Sequence, residues 1–224
     1  MTSRWRPPPA LLAQVVFGLV LFGAGEGLLV ASELGNSPWS VFAEGLEVQT
    51  PLTIGAATFL TSAVVLLCWI PLGEPRLGLG TLLNAVIIAA MIDVTLWALP
   101  TLEALAVRWG AVFGGIALVG IGSGLYLSAD LGPGARDGLM TGIHARTGWP
   151  IFAIRTGIEG SAVAVGWILG GTVGAGSLLF ALLVGPAVAT ALRVSSRRAP
   201  AGAPSPTARR TAPDQAAPAS ARRG

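Results

Sequence analysis

The segment LFGAGEGLLVASELG (Leu21–Gly35) recurs 97 residues later in the chain as LVGIGSGLYLSADLG (Leu118–Gly132). The two copies share three glycines at alternating positions and a closing Leu-Gly, and Glu33 stands opposite Asp130. The match continues downstream, where GLGTLL (78–83) corresponds to GAGSLL (174–179) after a one-residue deletion. Repeats of this kind in an apolar chain are typical of transporters built from two halves around a central site.

The composition predicts a membrane protein. Hydrophobic residues make up 53% of the chain and charged residues only 11%, whereas soluble domains carry about 25% charged residues. Cys68 is the only cysteine, which excludes a disulfide framework and a multi-cysteine zinc site, and its apolar surroundings suggest a small buried residue. His144 is the only histidine and is interpreted as an interfacial side chain.

Six apolar segments are close to the length of about 20 residues that crosses a bilayer core: 10–32, 54–70, 77–99, 109–129, 151–169 and 174–193. Two inter-span segments, 33–46 and 130–143, each predict a glycine-containing break followed by a short helix. Ser37 is the expected N-cap of the first short helix, with Pro38 at its first position, and the second begins near 135–137. The predicted fold class is an all-α, polytopic membrane bundle with two three-helix repeats, 10–99 and 109–194.

The arginines indicate the orientation. All fourteen basic residues are arginine, and an N-terminal segment 1–9 placed in the cytoplasm brings almost all loop arginines to the same side. The loop 34–53 has no arginine, whereas its repeat partner 131–150 has two. Three spans per repeat then insert the second half upside down, with both termini in the bacterial cytoplasm and the chain in the plasma membrane. Six tryptophans near span ends suggest an aromatic belt: Trp39, Trp69, Trp97, Trp109, Trp149 and Trp167.

The tail 195–224 differs from the rest of the chain. It has five prolines, six arginines and almost no large apolar residue, so it is predicted to be disordered. The basic charge of the chain indicates membrane orientation rather than nucleic-acid binding. Arginines beside a last span also favour anionic lipid headgroups as partners, in addition to the bilayer itself.

Ionisable residues inside spans are candidates for a substrate or ion pathway, because they cost about 2.5–3.5 kcal/mol each at the bilayer centre. Glu26, Asp93, Arg155 and Glu159 are such residues. Arg155 and Glu159 are four apart on one helix face, so an internal ion pair is the alternative to a substrate contact. For Asp93 the alternative is exposure at the external interface. Glu26 corresponds to Ser123, and an acid in only one repeat hints at proton or cation handling.

Arg136 and Asp137 complete the candidates. They stand at the start of the second short helix, and they face the interior if that helix dips into the protein rather than lying flat at the interface. Both orientations of the short helices remain open. The GxxxG pairs Gly23–Gly27 and Gly120–Gly124 predict that the first and fourth spans pack against each other.

The chain also resembles a known family. The strings GIGSGLYLSADLGPGARDGLMTGI (120–143), RTGIEG (155–160) and GWILGGTVGAGS (166–177), together with GNSPWSVFAEGL (35–46), are similar to the YczE/YyaS/YitT-type integral membrane proteins of bacteria. The resemblance covers about residues 15–194. It implies a multi-spanning plasma-membrane protein and supplies no agreed substrate or reaction.

These observations predict a secondary transporter or exporter of a small molecule. Its site is expected between the first, fourth and fifth spans, with the two short helices as opposite gates. The alternative is an accessory protein that supports a membrane-associated biosynthesis or secretion system. No catalytic, cofactor or metal site is predicted, and association with a second copy of the chain stays open.

Overall fold

The computed structural model describes residues 4–73 and 77–198. Within these ranges the chain forms nine helices and no strands: α1 (Pro9–Ser32), α2 (Pro38–Gln49), α3 (Ile54–Leu67), α4 (Trp69–Leu72), α5 (Leu79–Ala98), α6 (Leu105–Ser128), α7 (Ala135–Thr147), α8 (Ile151–Ile168) and α9 (Ala175–Arg198). Among the described residues, six helical segments are long and apolar enough to cross a membrane: α1, α3 with α4, α5, α6, α8 and α9. The predicted all-α bundle of six spans is confirmed.

The two copies of the repeated segment break their helices in the same way. Glu33 and Asp130, at corresponding positions, both adopt left-handed backbone conformations, with φ of 52° and 49°. Two residues later Gly35 and Gly132 have φ of 116° and 120°, which only glycine adopts readily. The chain therefore leaves α1 and α6 along the same path.

Each break is tied to a helix of the other half. The amide of Gly176, in α9, donates a 2.8 Å hydrogen bond to the carbonyl oxygen of Leu34. The amide of Gly80, in α5, donates correspondingly to Leu131 at 3.0 Å. These bonds satisfy backbone groups that a helix end leaves open, and they link the two halves of the chain.

The glycines of α1 and α6 contact different partners from those predicted. The two helices do pack together, but through Gly18 against Gly122 and through Gly25 against Gly115.

The GxxxG pairs contact α5 and α9 instead. A Cβ at Gly23 or Gly27 would meet Met91 or Thr95 of α5, and one at Gly120 or Gly124 would meet Ala187 or Ala191 of α9. Residues two apart on a helix are about 200° apart around it, so Gly23 and Gly25 lie on opposite faces. The prediction that the GxxxG pairs join α1 to α6 is wrong.

The short helices lie between longer ones. Ser37 caps α2, with its side chain accepting from the Ser40 amide and Pro38 in the first turn, and α7 begins at Ala135, both as predicted. α2 packs against α8 and α3, and α7 packs against α3, α4 and α8. Trp69 holds the start of α7, because its Nε1 donates to the carbonyl of Ala135 at 2.9 Å. Trp69 is therefore buried rather than part of an exposed aromatic belt.

Two further expectations concern the edges of the bundle. Cys68 lies at the junction of α3 and α4 and is exposed, so the expectation of a buried thiol is wrong. The apolar run around it covers the outer surface of the bundle, which in a membrane protein is as apolar as the core. α9 continues to Arg198, and residues 199–224 lie outside the described residues, so disorder and headgroup contact in that tail stay predictions.

Glu44 of α2 binds the loop between α8 and α9. Its carboxylate accepts hydrogen bonds from Asn36 Nδ2 at 2.6 Å and from the amide and hydroxyl of Thr172, each at 2.7 Å. The backbone amide of Asn36 also donates to the Thr172 carbonyl oxygen at 3.3 Å. α2 is thereby attached to both halves of the chain.

We expect Glu44→Ala to lower the free energy of unfolding by about 3 kcal/mol, since hydrogen bonds to a charged group contribute about 1.5–3 kcal/mol each. The measurement is thermal and SDS-induced unfolding of the purified protein in detergent. Glu47→Ala on the same helix is the control. Glu47 is exposed, and its partial desolvation, followed by repulsion from Glu44 and Asp93, raises its pKa, so its removal is expected to be neutral or slightly stabilising. Equal losses in the two variants would contradict this role of Glu44.

Candidate functional site

A cavity of about 170 Å³ lies at the centre of the bundle. Every helix except α4 contributes to its wall, including the first residues of both short helices. Five charged side chains line it: Glu26, Arg136, Asp137, Arg155 and Glu159. The structure thus brings five of the six candidate pathway residues to one place, although the first and the last, Glu26 and Glu159, are 133 residues apart in the chain.

Glu26 connects α1 to the start of α2. Its side chain is 2% exposed, and Ser37 and Ser40 donate hydroxyl hydrogen bonds of 2.7 and 2.6 Å to it. Both bonds go to the same oxygen, Oε2. Ser123, the residue that corresponds to Glu26 in the second repeat, also lines the cavity and is buried.

Arg136 of α7 reaches across to α2. The carbon of its guanidinium lies 4.8 Å from the centroid of the Trp39 ring, a cation–π contact. Burial within the bundle lowers the pKa of Arg136, while the carboxylates of Glu26 and Asp137 act in the opposite direction. Trp39 is therefore a wall of the cavity rather than part of a lipid-facing belt.

Asp137 is deep in the bundle yet open to the cavity, which keeps its side chain accessible to solvent. The Tyr126 hydroxyl lies 3.2 Å from its Oδ2. Desolvation raises the pKa of Asp137, whereas the hydrogen bond with Tyr126 and the charges of Arg155 and Arg136 act in the opposite direction. Asp137 is thus the carboxyl at this site whose protonation shifts toward higher pH.

Arg155 and Glu159 form the ion pair expected from their spacing. Arg155 Nε lies 2.9 Å from Glu159 Oε1, and the two side chains are 55% and 28% exposed. They form the α8 part of the cavity wall, and α9 contributes apolar residues such as Phe180 and Val184. The pair is both an internal ion pair and part of the cavity lining, so the two interpretations of these residues are compatible.

Asp93 is the sixth candidate and does not belong to the cavity. Its Oδ2 accepts from the Thr53 hydroxyl at 2.6 Å and its Oδ1 from the Gly55 amide at 2.8 Å. Asp93 thus satisfies one free amide at the start of α3, that of Gly55, and holds the N-cap residue Thr53. This role is structural, and it differs from both the pathway role and the simple interfacial exposure considered from the sequence.

Most of the other lining residues were not recognised in the sequence as part of a site, among them Trp39, Thr58 and Tyr126. Thr58 is 4% exposed, and its hydroxyl has no hydrogen-bond partner among the described residues. The Trp39 Nε1–H group is also buried without a hydrogen-bond partner among the described residues. A threonine or an aromatic residue in an apolar run carries no signal of its own, since either can face lipid or a neighbouring helix.

The chemistry available at the site is binding by charge and hydrogen bonds. In the described part of the chain, no three His, Cys, Asp or Glu residues are grouped so that they could hold a metal ion. The cavity instead combines carboxylates, guanidinium groups, hydroxyls and aromatic rings on a partly apolar wall. Together, fold and cavity define a polytopic α-helical membrane protein with a polar cavity lined by its spans.

The chain belongs to a family of unknown function, DUF6198, whose model matches residues 11–193. It is 42% identical over 196 residues to an uncharacterized protein of Haemophilus influenzae, with 88% of this chain and 89% of the relative covered. It is 34% identical to the uncharacterized membrane protein YczE of Bacillus subtilis (75% and 79% covered) and 28% identical to YyaS of the same species (75% and 85% covered). No solved structure matches the chain. The resemblance to YczE and YyaS is confirmed, and the protein is an integral membrane protein of this type.

Proposed function

We propose that this protein is a secondary transporter or exporter of a small molecule, which it binds in the central cavity. The observation that carries the proposal is the cavity itself, where five charged side chains from three helices (α1, α7 and α8) meet inside a bundle of membrane-spanning length. Charged residues at such positions are costly, and in membrane proteins they commonly mark substrate or ion pathways. The proposal assigns no catalytic reaction to the site.

The short helices support this function. Transporter sites are often formed where broken helices direct their N-termini at a central site. The N-cap and first residue of α2 (Ser37 and Pro38) and the first two residues of α7 (Ala135 and Arg136) all line the cavity. In our proposal α2 and α7 are re-entrant, and each one gates the cavity from one side of the membrane.

The repeated breaks support an alternating mechanism. We propose that the second half is inverted relative to the first, with both termini in the cytoplasm, as the arginine distribution favours. The recurring left-handed residues Glu33 and Asp130, and the recurring bonds that tie each break to the other half, are compatible with such a pair. Rocking of one half against the other would then expose the cavity to each side in turn.

The test begins with purified protein in detergent, whose thermal unfolding is followed in the presence of single metabolites. A ligand that binds the folded state raises the unfolding temperature with concentration. Compounds that do so are then loaded into proteoliposomes, and counterflow of the labelled compound is measured against liposomes without protein. Counterflow above that background is the expected result.

Two outcomes contradict the proposal. If the stabilising compounds bind but never cross the membrane, the cavity is a sensor or assembly site. If no compound binds and the protein instead copurifies with a partner of a biosynthesis or secretion system, the accessory function is correct.

A further inference from the structure

The cavity contains a carboxylate oxygen that the protein itself does not use. Ser37 and Ser40 both donate to Oε2 of Glu26, and among the described residues no donor is assigned to Oε1. Glu26 lines the cavity, so this oxygen is available to a bound molecule. A carboxylate held by two hydroxyls in an otherwise apolar helix is a strong acceptor for a positive group.

A second, independent feature points to a ligand at the same place. The Thr58 side chain lines the cavity from α3 and is 4% exposed, yet its hydroxyl has no partner in the described part of the chain. Buried hydroxyls without a partner are uncommon, because leaving one unpaired costs about 1–3 kcal/mol. A bound molecule, or water in its absence, would supply the missing hydrogen bond.

The charges favour a cation. Among the described lining residues, Arg155 is paired with Glu159, so Arg136 is the one remaining guanidinium that can offset the two carboxyls of Glu26 and Asp137. With both carboxyls ionised the lining carries one negative charge in excess. A ligand with one positive charge compensates this excess, whereas an anion increases it.

The contacts of Arg136 indicate where the positive charge of a ligand would bind. Its guanidinium lies over the Trp39 ring at 4.8 Å, and the charge of Glu26 favours the charged form of this guanidinium. Among the described residues the two side chains nevertheless form no direct ion pair. The guanidinium thus occupies a cation site on the ring and leaves the Glu26 oxygen unmatched.

The wall of the cavity favours an organic cation over a metal ion. The described residues contain no ligand cluster for a metal, whereas Phe22, Tyr126 and Val119 present apolar and aromatic surface. A cavity of about 150 Å³ accommodates benzene, so one of 170 Å³ has room for about six to ten non-hydrogen atoms. Quaternary ammonium groups are bound by aromatic side chains in this way.

We propose that the cavity binds a small organic cation between the free Glu26 oxygen and the Trp39 ring, in competition with the Arg136 guanidinium. The identification of this cation as the transported substrate rests on the proposed function. The binding itself does not depend on transport, since the site is complete within one chain. Displacement of Arg136 would free the start of α7.

The test uses three probes of similar shape: choline (cation), 3,3-dimethylbutan-1-ol (its uncharged analogue) and glycine betaine (zwitterion). Binding to the purified full-length protein is measured by calorimetry and by thermal unfolding, and tetraethylammonium tests a larger cation. We expect at least one of the cations to bind about tenfold more tightly than both uncharged analogue and zwitterion, a difference of about 1.4 kcal/mol. The proposal would be overturned if the uncharged analogue bound as tightly as choline, if Na⁺ bound and no organic cation did, or if none of the cations bound.

Two variants locate the site. Glu26→Gln keeps the shape of the side chain and is expected to weaken cation binding at least about tenfold, whereas Arg136→Ala removes the competitor and is expected to strengthen it. Glu103→Gln, an exposed acid outside the cavity, is the matched control and should leave binding unchanged. If Glu26→Gln does not fold, the comparison of probes on the unaltered protein still decides. Cation binding without counterflow would refute transport and leave the cation site intact. Counterflow of an uncharged compound, at the same rate in the Glu26→Gln variant, would support transport and refute the cation site.

Discussion

Gly122→Val is expected to prevent the bundle from forming. A Cβ at Gly122 would lie 2.7 Å from the backbone nitrogen of Phe22 and still closer to the carbonyl oxygen of Gly18. Neither backbone atom can move without displacing α1 relative to α6, the most extensively packed pair of helices in the structure. We expect a loss of about 3 kcal/mol or more, at the upper end of what overpacking costs.

The matched control lies on the same helix. Gly110→Val introduces the same side chain into α6, where a Cβ has no atom within 4 Å. Both variants are compared with the original protein by yield of folded protein and by SDS-induced unfolding followed by circular dichroism. If the two substitutions cost the same, the loss reflects glycine replacement in general, and the close contact between α1 and α6 is not what stabilises the bundle.

Arg155→Ala and Glu159→Ala are each expected to reduce transport strongly, but not to zero, while the protein still folds. Either change leaves the opposite charge alone on the α8 wall of the cavity, without the partner now 2.9 Å away. Because the pair is partly exposed, its contribution to stability is expected to be small, about 1 kcal/mol or less. Counterflow should fall at least about tenfold, the equivalent of 1.4 kcal/mol.

The double variant separates a shared role from two independent ones. Residues that act as a unit are not additive, so removing both should cost no more transport than removing either. Arg6→Ala and Glu103→Ala remove the same charges at exposed positions outside the cavity and serve as controls. Normal counterflow in both single variants would remove the ion pair from the proposed mechanism.

Local features of the structure were predictable from the sequence. The spans follow from apolar length, and the cap at Ser37 follows from the residue types at the start of α2. The pair of Arg155 and Glu159 follows from helix geometry, because residues four apart share a face whatever surrounds them. The matching breaks at Gly35 and Gly132 follow from the repeated sequence.

The rotational setting of each span was not predictable. α1 and α5 are apolar on all sides, so no amphipathic stripe marks the face that turns inward. For this reason the contacts of Gly23 and Gly27 with α5, the exposure of Cys68 and the capping role of Asp93 all differed from expectation. Each depends on which neighbour a helix face meets.

The sequence by itself determined a six-span helical membrane protein with two matching breaks, because span length, helix caps and i,i+4 pairs depend on residues close together in the chain. Only the tertiary structure decided that Glu26 and Arg136, 110 residues apart, meet around Trp39 in one cavity. That meeting depends on the packing of α1 against α6 and of α2 and α7 among the other helices. The residues of the repeat build the frame, and the charges without a counterpart in the other half acquire their role from where that frame places them.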